Sequence, residues 1–270
     1  MTTPTSSLSS TTQGYWADQP ESLHTVVDFR AGSLVTIDEV GAQRFGSLDA
    51  FTSVEGYCGA TLMGRILRPP AAPALRHGAL REALAMIGEA ARYGHQETRS
   101  WETSTTYIVD NHEGDLGYVD FGCGCVAVVA VKDPFRAYDV RAALASMPST
   151  LSDVATRIVE FPFFASSPIT AVFWTSSEGP LGGVEPWYEL YTYGAELFRR
   201  ELLSDSDWMQ VMCEEHDMPQ QEAELVVRFV EEIETGRLTR SEPLRHLLGH
   251  DPAHAADARE VLESFVSAVL

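Results

Sequence analysis

Apolar positions recur along this chain at two spacings, one typical of strands and one typical of helices. Through roughly the first two thirds, short stretches rich in Val, Ile, Thr and aromatic residues are separated by Gly, Pro, Asn and Asp, the pattern of strands joined by turns. Between them, Leu75 to Ala91 repeats apolar residues at helical spacing and Gly94 follows as a stop. Beyond Pro186 the helical spacing takes over, and we expect no strands there.

The strongest predicted hairpin joins 103–110 to 117–131 through turn residues at 111–115. Its second strand should be central in a sheet, because Val126 to Val131 is apolar on both faces. The other predicted strands are 25–29, 33–40, 52–67 and 161–174. The predicted helices are 73–93, which should pack one face on the sheet, then 134–147, 152–159, 187–202, a helix around 226–233, and 253–269.

This order of elements predicts an α+β fold in which helices flank a mixed or antiparallel sheet and an acidic, all-helical C-terminal subdomain follows. We expect a flexible Thr/Ser-rich arm at 1–13, because these residues offer almost nothing to bury. An α+β body would then cover 14–184 and the helical subdomain 185–270. The loop at 177–183, SEGPLGG, precedes that boundary.

The predicted α+β body and the predicted helical subdomain also differ in charge. The 270 residues include 39 acidic and 19 basic side chains, which gives a net charge of −20 at pH 7. Residues 185–270 hold 19 acidic and 7 basic side chains, against 20 and 12 in residues 1–184. The electrostatic field of a protein with this negative charge repels phosphate backbones and anionic membrane surfaces. We therefore expect a protein partner with a basic surface, without direct binding to a nucleic-acid backbone or a membrane.

The cellular location follows from cysteine usage and from the beginning of the chain. Four cysteines in 270 residues are ordinary for a reduced intracellular protein. The first residues lack the basic start and apolar stretch of a secretory signal. The longest aliphatic run, Val126 to Val131, is far shorter than a bilayer requires. We expect a cytoplasmic protein, or one in the host cytosol if it is encoded by a phage.

One set of residues could hold a metal ion. Cys123 and Cys125 would share one face of a strand, and Cys213 and His216 would share one face of a helix. Three thiolates and one imidazole suit a closed tetrahedral zinc site. We nevertheless favour the interpretation that these are free thiols that fill the core, and we expect no cofactor unless the four residues bind zinc. Zinc is the only cofactor that the sequence suggests.

Three further patterns favour structural interpretations. His246, His250 and His254 lie at helical spacing, but Gly249 and Pro252 interrupt that helix. Residues 122–127 match the bare spacing of a dinucleotide fingerprint, yet a strand follows where the fingerprint needs a helix. The acidic residues of the turn at 110–115 lack the regular alternation of a calcium loop.

The residues show no intact catalytic signature and no resemblance to a family that we can identify. We therefore expect a non-catalytic interaction or regulatory protein that uses its acidic surface, such as an immunity-like protein, an inhibitor, or an accessory factor of a phage or an actinobacterium. Two alternatives stay open. One is a metal-assisted or cysteine-dependent hydrolase, and the other is a structural virion component whose N-terminal arm becomes ordered on assembly. The hydrolase would use residues among Cys123, Cys125, Cys213, His216 and His112.

Overall fold

The computed structural model describes the strands at 24–28, 33–38 and 41–45, and residues 69–94, 98–131, 138–164, 168–185, 187–249 and 254–270. Contacts divide the chain into two compact units, Met1–Arg65 and Ile66–Leu270. Each unit contains its own antiparallel sheet, with strands that are neighbours in the order in which they occur along the chain.

Within the described residues, the sheet of the first unit has three strands, β1 (His24–Asp28), β2 (Ser33–Asp38) and β3 (Gly41–Phe45). The predicted strands at 25–29 and 33–40 are confirmed. Strand β3 was not predicted, because its residues, GAQRF, contain no β-branched side chain and only one aromatic one. The predicted strand at 52–67 and the arm at 1–13 lie outside the described residues.

The sheet of the second unit has five strands, and β7, next to last in the sheet, is buried on both faces. One face of the sheet packs on a pair of helices. In this contact, Val126 and Val128 of β7 lie in one hydrophobic cluster with Leu151, Val154 and Ile158, which belong to the later of the two helices. The strands are β4 (Thr98–Thr103), β5 (Thr106–Asp110), β6 (Leu116–Asp120), β7 (Cys125–Ala130) and β8 (Ile169–Thr175). The two helices are α2 (Val140–Ser146) and α3 (Ser149–Val159).

Helix α1 (Ala72–Tyr93) lies on the other side of the sheet, where the Trp101 indole N–H of β4 donates to the carbonyl of Ala79 at 3.2 Å. Every residue from Gly78 to Gly88 is buried, about three helical turns, so all faces of α1 are covered. It contacts β4, α6, α7 and the 3-10 helix at Pro243–Leu248. The remaining helices are α4 (Trp187–Thr192), α5 (Asp205–Glu215), α6 (Gln220–Glu234) and α7 (Ala255–Val269).

The segment 117–131, predicted as one strand, is divided by a turn at 121–124. Gly124 has a φ of 122°, and a Cβ there would overlap the carbonyl oxygen of Thr175. Glycine is therefore needed at this position both for its conformation and for the close approach of β8. The apolar residues FPFF are also not part of β8, since Pro162–Phe164 forms a single 3-10 turn before it.

The predicted helix at 187–202 is likewise interrupted. Helix α4 ends at Thr192, and a 3-10 helix covers Ala195–Phe198. Between them, Gly194 lies so close to the sheet that a Cβ would come within 2.6 Å of the Cβ of Ala171. The rings of Trp187 and Phe198 both pack edge-on against Phe173 of β8. Contact with the sheet thus outweighs the helical spacing of the apolar residues.

The α+β class, with an antiparallel sheet and flanking helices, is confirmed. The predicted helices 73–93, 152–159 and 226–233 fall within observed helices, and the predicted helix 253–269 is observed as Ala255–Val269. Residue 253 and the start of the predicted helix 134–147 lie outside the described residues. The predicted domain boundaries after residues 13 and 184 stay predictions. None of the helices in the described ranges is both long enough and apolar enough to cross a membrane.

Replacing Gly78 with alanine should reduce the free energy of unfolding by about 1–3 kcal/mol, because the new Cβ would overlap the backbone of Glu201. Gly182→Ala is the matched control, since a Cβ at Gly182 meets no atom within 4 Å. Urea unfolding of both variants measures the difference. Equal stability of the two variants would contradict the close packing of residue 201 on α1.

Candidate functional site

Two oppositely charged side chains, Arg81 and Glu82, lie in the fully buried part of α1 with no exposed surface. Because all faces of the helix are covered, neither side chain can reach water by choosing another rotamer. A buried charge without a partner is strongly destabilising, so each one requires compensation inside the protein.

Arg81 is compensated by the segment that leads into α5. Its guanidinium donates to Asp205 Oδ1 at 2.6 Å and to the carbonyl oxygens of Arg200 and Leu203 at 2.8 and 3.1 Å. It also lies over the ring of Trp208, 4.9 Å from the centroid. This one side chain therefore fixes residues 200–208 against α1.

Glu82 is compensated by the same segment. It accepts a hydrogen bond from the indole N–H of Trp208, and its Oε2 lies 2.7 Å from Arg200 Nε. Arg200 also donates from Nη2 to Glu89 at 2.7 Å, so one guanidinium pairs with two carboxylates of α1.

A third buried pair joins the sheet to this segment. Arg99 of β4 pairs with Glu201 Oε1, and the Tyr107 hydroxyl of β5 donates to the same oxygen at 2.7 Å. Burial raises the pKa of Glu201 and the negative charge of Glu82 adds to this effect, while Arg99 opposes it. Burial also raises the pKa of Tyr107 well above its ordinary value of 10.0. We refer to Arg81, Glu82, Arg99, Arg200, Glu201 and Asp205 together as the buried charge network.

His77, one turn before Arg81, links α1 to both α5 and α6. Its Nε2 is 3.0 Å from Asp205 Oδ1 and its Nδ1 is 3.0 Å from Glu234 Oε2. The hydrogen bond with Asp205 raises the pKa of His77 above 6.5, burial opposes this, and Glu234 adds to it. The bonds from His77 and Arg81 in turn lower the pKa of Asp205 to about 2. The protonated imidazole thus holds the start of α5 and the end of α6 beside α1.

Residues 205–234, which comprise α5, α6 and the turn between them, form a surface that we call the acidic hairpin. The segment has ten acidic side chains, and apart from His216 its only basic residue is Arg228. Among the described residues, no cation pairs with five of its exposed acidic side chains, which are Glu214, Glu215, Asp217, Glu224 and Glu231. Glu214 and Glu215 also occupy the last turn of α5, where the helix dipole disfavours negative charge. Within the described part of the chain, this negative charge has no positive side chain to compensate it.

A pocket of about 250 Å³ lies between α1, β4 and α7. Its apolar walls are Ala83, Met86, Trp101, Val261 and Phe265. Its polar lining consists of Thr98, Arg99, Ser100, Asp257, Glu260 and Ser264. Arg99 lines the pocket and is also a member of the buried charge network, so the pocket borders that network.

The four residues of the predicted zinc site belong to different parts of the fold. Cys123 is exposed in the turn before β7, whereas Cys125 is buried as the first residue of β7. Burial raises the pKa of the Cys125 thiol, and Asp120 adds to this. Cys213 lies on α5, and His216 follows its last residue. Within the described ranges no three or more His, Cys, Asp or Glu residues are placed to hold a metal ion, and zinc binding by these four stays a prediction.

The other patterns of the sequence occupy structural positions. In the turn between β5 and β6, Asp110 Oδ1 accepts from the His112 amide and Asn111 donates to Asp115, so both carboxylates stabilise the turn. His246 is exposed in a 3-10 helix, and His254 precedes α7. His250 lies outside the described residues.

Sequence analysis missed the buried charge network entirely. The available signal was the adjacent pair Arg81 and Glu82 inside an apolar stretch, and Arg99 in the same strand as Trp101. Comparison with protein-family models, with curated proteins and with solved structures found no match for this chain. Its function must therefore be inferred from its own residues.

Arg99→Met should lower the free energy of unfolding by about 3–5 kcal/mol, because it leaves Glu201 buried without its cation. The double variant Arg99→Met/Glu201→Gln should cost clearly less than the sum of the two single variants, since glutamine retains an acceptor for Tyr107. Urea unfolding measures each value.

A matched control is Arg228→Met, which removes an exposed ion pair with Glu232 at 3.9 Å and should cost less than about 1 kcal/mol. If Arg99→Met were as mild as Arg228→Met, the buried pair would not contribute as described.

The links made by His77 should weaken as the pH rises. The folded state binds the His77 proton more tightly than the unfolded state, so this stabilisation is complete below pH 6.5 and disappears as the pH rises through the raised pKa. Urea unfolding of the wild type and of His77→Gln across this range should show a difference that is largest below pH 6.5. His246→Gln, at an exposed position, should show no such trend. A difference that grows with pH would contradict the assignment.

Proposed function

We propose that this chain is a non-catalytic binding protein whose acidic hairpin recognises a partner with a basic surface. The observation that carries the proposal is the set of exposed carboxylates on residues 205–234 that no cation of the described residues neutralises. A negatively charged surface of this kind attracts positively charged partners and repels negatively charged ones. A regulatory, inhibitory or immunity-like role is consistent with it.

The contacts of the hairpin with α1 support the proposal, because they use a different set of carboxylates. Asp205 binds Arg81 and His77, Glu234 binds His77, and Arg92 donates to both oxygens of Glu222 at 2.7 Å. These three acidic residues lie at the start of α5 and at both ends of α6. The hairpin is thereby held in place before binding, which lowers the entropy lost when a partner binds.

The charge also determines how association should respond to salt. Complementary charge raises the association rate, and salt screens it over a Debye length of about 10 Å at 0.1 M. The C-terminal third, with 19 acidic and 7 basic residues, should dominate this long-range attraction. We therefore propose it as the acidic helical part of the protein that meets the partner.

The placement of Cys125 argues against its use as the nucleophile of a cysteine-dependent hydrolase. A reactive cysteine needs a lowered pKa and access to substrate. Cys125 is fully buried and its thiol pKa is raised. Cys123, Cys125 and Cys213 are free thiols, which is consistent with the cytoplasmic location that we propose.

The test uses four isosteric substitutions on the hairpin, Glu214→Gln, Glu215→Gln, Glu224→Gln and Glu231→Gln, in one variant. Isothermal titration with an oligo-arginine peptide should show at least about tenfold weaker binding than for the wild type. Raising the salt should weaken binding to the wild type more steeply than binding to the variant.

A control variant makes the same change of charge at four exposed acidic residues outside the hairpin, Glu113→Gln, Asp153→Asn, Glu160→Gln and Glu178→Gln. It should retain most of the affinity. If both variants lost affinity equally, the effect would come from net charge alone and the hairpin would not be the binding surface.

A further inference from the structure

The pocket between α1, β4 and α7 has the composition of a ligand site. Ligand pockets are concave, mostly apolar and supplied with a few polar groups. Its volume of about 250 Å³ lies just below the usual range of about 300–1,000 Å³. We propose that it binds a small organic cation, an ammonium or guanidinium group carried on an apolar body.

The apolar walls of the pocket indicate that the ligand has an apolar body. Met86 of α1, Trp101 of β4 and Phe265 of α7 meet there, each contributed by a different element. One of these walls is already held in place, since the Trp101 indole donates to Ala79 and its ring stacks on Phe121 at 5.6 Å. An apolar group that enters therefore displaces water from preformed surfaces, which favours binding.

The acidic residues that line the pocket indicate that the ligand carries a positive charge. Asp257 and Glu260 of α7 line it, and within the described part of the chain Glu260 has no cationic partner. The imidazole Nδ1 of His254 lies 3.7 Å from Asp257 Oδ2. The positive charge of Arg99 is balanced by Glu201, and its Nη2 donates to the Leu197 carbonyl at 3.4 Å. Arg76 of α1 lies over the Trp101 ring, 5.6 Å from its centroid, but it is not one of the residues that line the pocket. The uncompensated charge of the lining residues is negative, and the field of a chain with a net charge of −20 has the same sign.

Ser264 of α7, which carries a hydroxyl group, completes the lining together with Thr98 and Ser100 of β4. Hydroxyl oxygens accept hydrogen bonds from ammonium and guanidinium groups. The same chemistry fits a free amine and the side chain of an arginine or lysine in a protein. The inference does not depend on the acidic hairpin, because no residue of 205–234 lines the pocket.

The first experiment measures phenethylamine binding by isothermal titration, with phenethyl alcohol as the neutral analogue of the same shape. The amine should bind, and the alcohol should bind at least about tenfold more weakly. Asp257→Asn/Glu260→Gln should weaken binding of the amine by a similar factor without affecting the alcohol. Ser264→Leu, which fills the pocket, should abolish binding of both.

The matched control is Glu242→Gln/Glu263→Gln, which removes the same number of charges from exposed residues outside this pocket. It should leave amine binding unchanged, as should the four-fold variant of the acidic hairpin. Failure of oligo-arginine binding with amine binding intact would thus reject the proposed function and leave the pocket supported.

A second ligand, a blocked arginine with neutral ends, distinguishes the two sources of the cation. Tighter binding of the blocked arginine than of phenethylamine would indicate a protein side chain, and the reverse order a free amine. The proposal is overturned if neither ligand binds, or if their binding survives both Asp257→Asn/Glu260→Gln and Ser264→Leu.

Discussion

Helix α1 is covered on every side and yet carries a charged pair in its buried section, and the packing of the second unit follows from this constraint. Arg81 and Glu82 cannot be moved to water, so the chain must bring partners to them. The segment around residues 200–208 supplies these partners, and its position then determines where α5 begins. Glu201, in the same segment, ties it to β4 and β5 as well. Sheet, central helix and outer helices are therefore joined by charge as well as by apolar contact.

The same residue type serves opposite purposes in this protein. The buried carboxylates of Glu82 and Glu201 each have a guanidinium beside them, and removing that guanidinium would leave a buried charge without a partner. The outer carboxylates, such as Glu214 and Glu224, have no such neighbour among the described residues and remain available to another molecule. Since all but one of the 19 basic residues are arginines, the forked guanidinium is the cation available for the interior pairs.

Periodicity was sufficient to predict α1, α3, α6 and α7, because their apolar residues repeat over several turns. It failed where one residue opposed the pattern. At Gly194 the backbone lies close to the sheet, and the predicted helix is interrupted there. At Gly124 the backbone has a positive φ, and the segment predicted as one long strand is divided into β6 and β7. The buried charge network could not be predicted at all, because pairs such as Arg99 and Glu201 are 102 residues apart and only the fold brings them together. For the same reason, the proximity that the zinc hypothesis required could not be judged from spacing.

Strand β4 is an outer strand of the five-stranded sheet, and α7 packs beside it. All five strands of the sheet are synthesised by residue 175, well before α7 begins at residue 255. During synthesis, a complete sheet can therefore exist while its β4 side still lacks this cover. Unpaired strand edges readily join those of other chains, so in this interval the β4 edge of the nascent protein is open to such pairing.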